Sequence, residues 1–453
     1  MNGKKSSVWD AVSRWLPPSE DQNVEYWWKL TGPHVAHMMH AAGYPVEAQY
    51  DALLFHYHYI VPYLGPSPSG RNGPPAWNCL LGNEGSPLEY SWKWNTSAAD
   101  SRPDVRYCIE AIGKYAGRPR DPLNQDASIE LLYRLKDAVP TVDLTWTNHF
   151  LATLFDHDRG KYADEAARGD RFSSTIFVAP EWLDKGFSVK TYFLPRRLGT
   201  SVSAKGLTLA QWEESFAQID PGNKAREALF EYLTNDPEGQ QLTPFMLAVD
   251  NVEPSKSRLK LYFLGPRNSF ASVRSIMTLG GKKPVDEAHL QELRSLICAV
   301  SGIDEAHPED QDTPFTAAHY TDGTKDNFGQ LPEVLHNYVY YFDIAPGRSL
   351  PDVKFYTPVR GYGPDDAALA EGLMGWMEKR GRGQYNAEYL GVLKQLNRHR
   401  QLHDGKGAHI FISCLITKDG ELDITSYLGA EAVDPSKTAQ ARQRKTRRRS
   451  DSR

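Results

Sequence analysis

Three stretches of this sequence share the pattern that decides the fold: VKTYFLPR at 189–196, LKLYFLGPR at 259–267 and VKFYTPVR at 353–360. Each has an apolar residue, a lysine, a spacer and a tyrosine, followed shortly by a proline and an arginine. Each is also the second half of a strand–turn–strand pattern, in which β-branched and aromatic runs are interrupted by Gly, Pro, Asp or Ser. The repeats therefore predict three β-hairpins of the same construction.

Two further segments have the same build without the full motif. The first is LEYSWKWNTSAADSRPDVRYCIEAIG at 88–113, and the second is HIFISCLITKDGELDITSYLGAE at 409–431, where KDGE is a strong turn signal. Helix-like stretches such as SIELLYRLKDAV and VDEAHLQELRSLICAV separate the hairpins. The chain therefore repeats a helix–helix–hairpin unit about five times.

Five hairpins predict roughly ten antiparallel strands. Closure into a barrel removes exposed strand edges, and a barrel of this size leaves a lumen wider than side chains fill. We expect an α+β fold, a ten-stranded antiparallel barrel ringed by helices, with one domain at 25–432 after an N-terminal extension at 1–24. Two sandwich-like domains are the alternative, whereas a TIM barrel requires single parallel strands between helices.

Alternation along the strands places the repeated basic and aromatic side chains on one face. The basic residues of that face are Arg106, Lys190, Arg258, Lys260 and Lys354. The aromatic residues beside them are Tyr192, Tyr262, Tyr356 and, in the last hairpin, Tyr427. In a single strand these side chains would more often face solvent, but three matching copies favour the lumen. Unpartnered buried cations are costly, so we expect a polyanion such as a diphosphate there, beside rings that stabilise a carbocation and exclude water.

Composition restricts the class of protein. No apolar run approaches the roughly 18 residues of a membrane span, the N-terminus lacks a signal-like stretch, and four scattered cysteines suit a reducing compartment. We therefore expect a cytoplasmic protein that binds no membrane. From Lys437 onward the tail carries eight Lys and Arg against one acid, although the whole chain has a formal net charge of −5. We expect a disordered basic tail at 433–453, and an acidic body that disfavours nucleic acid as the main ligand.

Taken together, the motifs resemble the fungal dimethylallyltryptophan synthase family of aromatic prenyltransferases. The resemblance extends from about Tyr26 to Ala430 and includes YWWKLTGPHVAHMMHAAGYP, PYLGP, GSPLEYSWKWN, MTLGG and the three repeats. It implies a ten-stranded barrel, diphosphate binding by the five basic residues, and a tyrosine shield around the allyl cation. It also singles out Glu89 in SPLEYSW, as the carboxylate that accepts the indole N–H hydrogen bond and orients the ring.

Two positions depart from the tryptophan-prenylating members of that family. Lys354 stands where they have a glutamine, which adds a cation to the diphosphate site. Phe177 stands where they have a lysine that is the candidate base for rearomatisation. The resemblance thus favours dimethylallyl transfer to Trp-containing cyclic dipeptides or larger indole compounds over reaction at C4 of tryptophan. Water or the released diphosphate could take the proton.

Several alternatives stay open at the level of sequence. The acceptor could be a phenolic or polyketide ring, and alternating basic and aromatic strand residues could also bind nucleic acid. Metal-dependent prenyl synthases need paired Asp-rich motifs, which are absent, so we expect no metal or other cofactor to be required. His34, His37 and His40 lie at positions i, i+3 and i+6 of a predicted helix but lack a zinc-binding pattern. The oligomeric state is open between a monomer and a homodimer.

Overall fold

The computed structural model describes residues 7–68, 77, 79–82, 86–96, 101–156, 158–167, 173–183, 186–196, 207–316 and 336–432. The strands are β1 Leu88–Lys93, β2 Asp104–Ile109, β3 Ile176–Leu183, β4 Gly186–Phe193, β5 Thr243–Asp250, β6 Leu259–Leu264, β7 Val339–Ile344, β8 Asp352–Thr357, β9 His409–Ile416 and β10 Leu422–Gly429. The predicted basic tail at 433–453 lies outside the described residues.

All ten strands form one closed barrel, in which each strand pairs antiparallel with its neighbours in sequence and β1 pairs with β10. The first and last predicted hairpins supply this closing pair, with Glu89 opposite Gly429 and Lys93 opposite Thr425. The predicted barrel is confirmed, and the alternative of two sandwich-like domains is wrong. Closure pairs the edges that an open sheet would expose.

Helices surround the barrel and connect its hairpins. They are α1 Val8–Trp15, α2 Gln22–Ala41, α3 Val46–Phe55, α4 Asp126–Ala138, α5 Thr145–Thr153, α6 Tyr162–Ala167, α7 Leu209–Ile219, α8 Lys224–Asn235, α9 Phe270–Met277, α10 Glu287–Ser301, α11 Val359–Tyr362, α12 Asp366–Glu378 and α13 Asn386–Leu396. Local capping starts several of them: the Asp365 carboxylate accepts the backbone N–H groups of Ala367 and Ala368 at 3.0 and 2.9 Å. Within the described ranges, none of the helices combines the length and hydropathy that crossing a bilayer requires.

Strand alternation divides the apolar residues into two clusters. Outward-facing side chains such as Trp92, Phe193, Leu261 and Phe342 are completely buried and pack with the helices in the main core. A second, smaller cluster lies inside the barrel and includes Tyr262 and Tyr356. The helices therefore fill the outside of the barrel, and the lumen keeps its own set of side chains.

Candidate active site

The lumen contains a cavity of about 360 Å³. Its walls come from all ten strands, because every second residue of each strand points inward. Along the barrel axis the inward side chains change in character, from charged at one end, through a belt of tyrosines, to mostly apolar at the other. Lys93 and Asp104, paired across β1 and β2, belong to the charged end, and Glu89 and Cys108 belong to the other.

At the charged end, Glu181 of β3 lies between two of the predicted cations. Its carboxylate accepts hydrogen bonds from the Arg106 guanidinium at 3.3 Å and from the Lys190 ammonium. Burial alone would raise the pKa of Glu181, but Lys190 and Arg106 together lower it to about 2. Arg106 also donates to Asp104 at 3.0 Å. Glu181 is therefore ionised at neutral pH and fixes the positions of both cations.

Asp250 of β5 bridges a second pair of cations. Its two carboxylate oxygens accept hydrogen bonds from Lys260 Nζ at 2.8 Å and from Arg258 Nε at 2.7 Å. Arg258 also reaches Asp343 of β7 at 3.1 Å. Against the effect of burial, Lys260 and Lys190 hold the pKa of Asp250 well below its usual range. Lys260 lines the cavity, whereas Arg258 is 43% exposed and lies beside the cavity.

Lys354 of β8 differs from the other four cations, because they pair with carboxylates. Its closest polar partner is Thr425 Oγ1 at 3.4 Å, and in the part of the chain that the structure describes no carboxylate forms an ion pair with it. Burial lowers the pKa of Lys354 to about 8, and the same effect, opposed by Glu181, lowers the pKa of Lys190 to about 8. The two lysines are thus the cations of the lumen that a polyanionic ligand would most affect.

These carboxylates correct one step of the sequence analysis. We expected buried cations without partners, and the protein instead supplies Asp104, Glu181, Asp250 and Asp343 to four of the five. Only Lys354 fits the expectation. In the unliganded lumen the protein's own carboxylates stabilise these buried cations. An anionic ligand must therefore displace the carboxylates from the cations or bind the cations together with them.

A belt of tyrosines crosses the lumen next to the cations. Tyr192, Tyr262, Tyr356 and Tyr427 all line the cavity, and Tyr341 of β7 joins them as a fifth member that the sequence analysis missed. The Tyr262 ring centroid lies 6.1 Å from that of Tyr192 and 5.2 Å from that of Tyr341, and Tyr356 lies 5.6 Å from Tyr427. Lys354 Nζ lies 5.7 Å from the centre of the Tyr356 ring. The belt thus separates the charged end from the rest of the cavity.

Glu89 of β1 lies beyond this belt and is half-buried in the cavity wall. No residue among those described donates a hydrogen bond to its carboxyl group, and burial raises its pKa to about 8. The Phe177 side chain faces the same cavity, from a position opposite Tyr192. Leu80, Leu81, Phe245 and Phe411 add apolar wall nearby. This end can therefore hold a flat apolar molecule that carries one hydrogen-bond donor for Glu89.

The described residues of the lumen do not form a group typical of a metal centre. Across the described segments, no three or more His, Cys, Asp or Glu side chains are grouped so that they could hold a metal ion. His34, one of the three histidines noted in the sequence, instead contacts the Tyr90 hydroxyl through Nδ1 at 3.1 Å.

Comparisons with known proteins show the family to which this chain is similar. The family model described as tryptophan dimethylallyltransferase matches residues 23–391. Prenyltransferase anuH of Penicillium roqueforti is 57% identical over 450 residues, which cover 99% of this chain and 98% of that protein. Xanthone prenyltransferase B of Emericella nidulans is 43% identical over 455 residues, with coverage of 100% and 96%.

Solved structures resemble the chain in fold. AnaPT from Neosartorya fischeri matches with a TM-score of 0.76 and 24% identity, covering 93% of this chain and 97% of that one. NotF in complex with brevianamide F and DMSPP matches with a TM-score of 0.74 and 21% identity, covering 94% and 98%. At these identities the likeness applies to the fold alone.

Proposed function

This chain belongs to the tryptophan dimethylallyltransferase family of aromatic prenyltransferases, and we propose that it transfers a dimethylallyl group from dimethylallyl diphosphate to a phenolic ring. The observation that carries the proposal is the order of side chains along the lumen. Cations come first, then five tyrosines, then one carboxyl group that has no donor among the described residues. That order matches a diphosphate, an allyl cation and an aromatic acceptor placed in line.

The cations act on the diphosphate. Arg106, Lys190, Lys260 and Lys354 line the charged end, and Arg258 lies beside them. Charge-assisted contacts from these groups stabilise the negative charge that develops as the diphosphate leaves. In this proposal they take the place that metal ions hold in other diphosphate-cleaving enzymes, so no metal is required for turnover.

The reaction is an electrophilic aromatic substitution. The bond between the allylic carbon and the diphosphate oxygen breaks, and its electron pair leaves with the diphosphate. The tyrosine belt surrounds the resulting cation, where ring faces stabilise positive charge and keep water away. A ring carbon of the acceptor donates an electron pair to form the new carbon–carbon bond. That carbon then loses its proton to water or to the diphosphate, since Phe177 provides no base at its position.

Glu89 selects the acceptor in this proposal. A phenolic O–H can donate a hydrogen bond to the Glu89 carboxyl group, and that bond favours the ionised form, which orients the ring and raises its electron density. A phenol is supported by a relative of 43% identity over the whole chain that is named for xanthones. A second such relative, Xanthone prenyltransferase A of the same organism, is 44% identical.

An indole is the second candidate acceptor, and it is the one that the sequence analysis favoured. Its N–H group could donate to Glu89 in the same geometry, and NotF, which shares the fold, was solved with brevianamide F. A Trp-containing cyclic dipeptide or a larger indole would fit this candidate. The two relatives named for xanthones are 43% and 44% identical to this chain, whereas NotF is 21% identical, so we place the phenol first.

The test is an incubation of the purified protein with dimethylallyl diphosphate, excess EDTA and a panel of acceptors, with products identified by mass spectrometry. The panel contains hydroxyxanthones, simpler phenols, tryptophan and Trp-containing cyclic dipeptides. We expect a gain of one isoprene unit on phenols. A gain on indoles alone would overturn the phenolic proposal and retain the transfer reaction. No product on any acceptor, without diphosphate binding by calorimetry, would overturn both.

The same assay tests the cations. Lys260→Ala removes a charge-assisted contact, so we expect donor use to fall at least about tenfold. Lys136→Ala, an exposed lysine on α4, serves as the control and should match the wild type. Equal kinetics for Lys260→Ala and the wild type would remove Lys260 from the diphosphate site.

A further inference from the structure

We infer that Glu110 is a positioning residue for the acceptor, because its carboxylate fastens Leu80 and Leu81, the leucine wall, against the end of the cavity that contains Glu89. The inference rests on the proposed function, and it adds a residue that does not itself line the cavity. Glu110 directly follows β2 and is completely buried.

The first observation is how the Glu110 carboxylate is used. Its Oε1 atom accepts the backbone N–H groups of two consecutive residues, Leu80 and, at 2.7 Å, Leu81. The next residue continues the attachment, since the Gly82 N–H donates to the Ser86 carbonyl at 2.9 Å. The backbone N–H groups of three successive residues of this loop, 80–82, thus donate hydrogen bonds to Glu110 or to Ser86. A buried carboxylate that receives two amide donors is a strong, charge-assisted attachment.

The second observation is where this attachment lies. The Glu110 backbone N–H donates to the Pro87 carbonyl at 2.9 Å, two residues before Glu89. The pairing of β1 with β2 also places Glu89 opposite Cys108. The loop is therefore anchored at the Glu89 end of the barrel and not at the charged end. Leu80 and Leu81 are both half-buried and line the cavity there.

The third observation is that Leu80 and Leu81 belong to neither a helix nor a strand, so no helix or strand hydrogen bonds hold these two residues. Burial raises the pKa of Glu110 to about 7, and the donors around the carboxylate limit the rise. Without this attachment, Leu80 and Leu81 would no longer be held in position against the acceptor ring that Glu89 orients. The expected result is weaker acceptor binding with unchanged donor binding, since the cations lie at the opposite end.

The experiment compares Glu110→Ala and Glu110→Gln with a matched control, Asp121→Asn. The Asp121 carboxylate is also buried and also accepts two backbone N–H groups, from Gln125 at 2.8 Å and Asp126 at 3.2 Å, but it does not line the cavity. Two quantities are measured for each variant. One is the hydrogen–deuterium exchange rate of the Leu80 and Leu81 amides without ligand, and the other is KM for acceptor and donor separately.

We expect Glu110→Ala to speed exchange at both leucines, and to raise the acceptor KM, by about tenfold each, with the donor KM within about twofold of the wild type. Glu110→Gln keeps an acceptor oxygen but not the charge, so it should give intermediate values. It also serves if the alanine variant fails to fold. Asp121→Asn should leave the leucine amides and the acceptor KM unchanged.

Three results would overturn the inference: unchanged leucine exchange in both Glu110 variants, equal rises in donor and acceptor KM, or an equal acceptor effect in Asp121→Asn. Absence of any prenyl transfer by the wild type is a different outcome, because it removes the proposed function. The exchange comparison needs no substrate, so it still decides whether Glu110 fastens the leucine wall.

Discussion

At the scale of single residues, the lumen combines groups whose charge changes near neutral pH with groups whose charge is fixed. Glu181 and Asp250 stay ionised because neighbouring cations lower their pKa. Glu89 and Lys354 have no such partner among the described residues, and burial moves the pKa of each to about 8. The charges of these two residues, like that of Lys190, therefore change near pH 8 and respond to a bound ligand.

Glu89→Gln should stabilise the unliganded protein in a pH-dependent way. The folded-state pKa of Glu89 is about 8 and its ordinary value is 4.5, so folding must keep the group protonated between those pH values. That requirement lowers the free energy of unfolding progressively as the pH rises from 4.5 to about 8. Glutamine is neutral and removes it. The variant should thus gain melting temperature over the wild type at pH 8 and gain little at pH 4.5.

Thermal denaturation across this pH range checks the expectation. Glu47→Gln, an exposed glutamate on α3, is the control and should show no such trend. A difference between Glu89→Gln and the wild type that stays constant with pH would mean that the Glu89 carboxyl group is not shifted.

Lys354→Met should weaken diphosphate binding and reduce the proton uptake that accompanies it. Near pH 8 the wild-type lysine is only partly protonated, and a bound polyanion favours the charged form. Removing the charged contact should lower affinity at least about tenfold. Calorimetry with inorganic diphosphate, in buffers of different ionisation enthalpy, measures both quantities, with Lys136→Met as the control. Undiminished proton uptake in Lys354→Met would assign the titration to another group.

At the scale of secondary structure elements, the hairpins explain both what the sequence predicted and what it missed. The K-x-Y pattern identified the second strand of three hairpins, and alternation then gave the inward faces of β4, β6 and β8. The partner strands carry a matching signal. Glu181, Asp250 and Asp343 each occupy an inward position near the end of β3, β5 and β7. These three acidic residues could have been predicted from the sequence, by applying the inward–outward alternation to the first strand of each hairpin as well as to the second.

Asp250→Asn should have opposite effects on folding and on ligand binding. The ligand-free protein should lose stability, because Lys260 and Arg258 lose a carboxylate partner inside the barrel. Diphosphate should bind more tightly, because a negative charge has been removed from its site. Melting temperatures with and without inorganic diphosphate measure both effects, and Asp137→Asn, exposed on α4, is the control. If diphosphate binding weakened together with stability, Asp250 would be needed to place the cations for the ligand.

Tyr341 on β7 provides a test of the tyrosine belt. Tyr341→Leu removes a ring that lies 5.2 Å from Tyr262 and 5.9 Å from Tyr356. We expect a larger fraction of dimethylallyl diphosphate to be hydrolysed to the alcohol, because water then reaches the allyl cation more easily. Tyr341→Phe keeps the ring and should resemble the wild type. The ratio of alcohol to prenylated product measures this, and an unchanged ratio in Tyr341→Leu would exclude Tyr341 from the shield.

At the scale of the whole molecule, closure of the barrel arranges the repeated strands around one lumen, and their inward side chains together form the candidate site. The repeat predicted the number of strands, and the resemblance implied the residue roles, which stay predictions until they are tested. The leucine wall could not be predicted, because its contact with Glu110 joins the segment before β1 to the residue after β2 and contains no repeat. Such a contact depends on how the β1–β2 hairpin places its two flanking segments, and it leaves no periodic signal in the sequence.

The central claim is that the charged end of the lumen holds the diphosphate and the tyrosine belt holds the allyl group. A crystal structure with dimethylallyl thiolodiphosphate, a slowly reacting donor analogue, tests this most directly. We predict that the diphosphate oxygens contact Lys190, Lys260 and Lys354, with the allyl group between Tyr192, Tyr262 and Tyr356. Diphosphate bound outside the lumen, or an allyl group that points away from the tyrosine belt toward solvent, would contradict the claim.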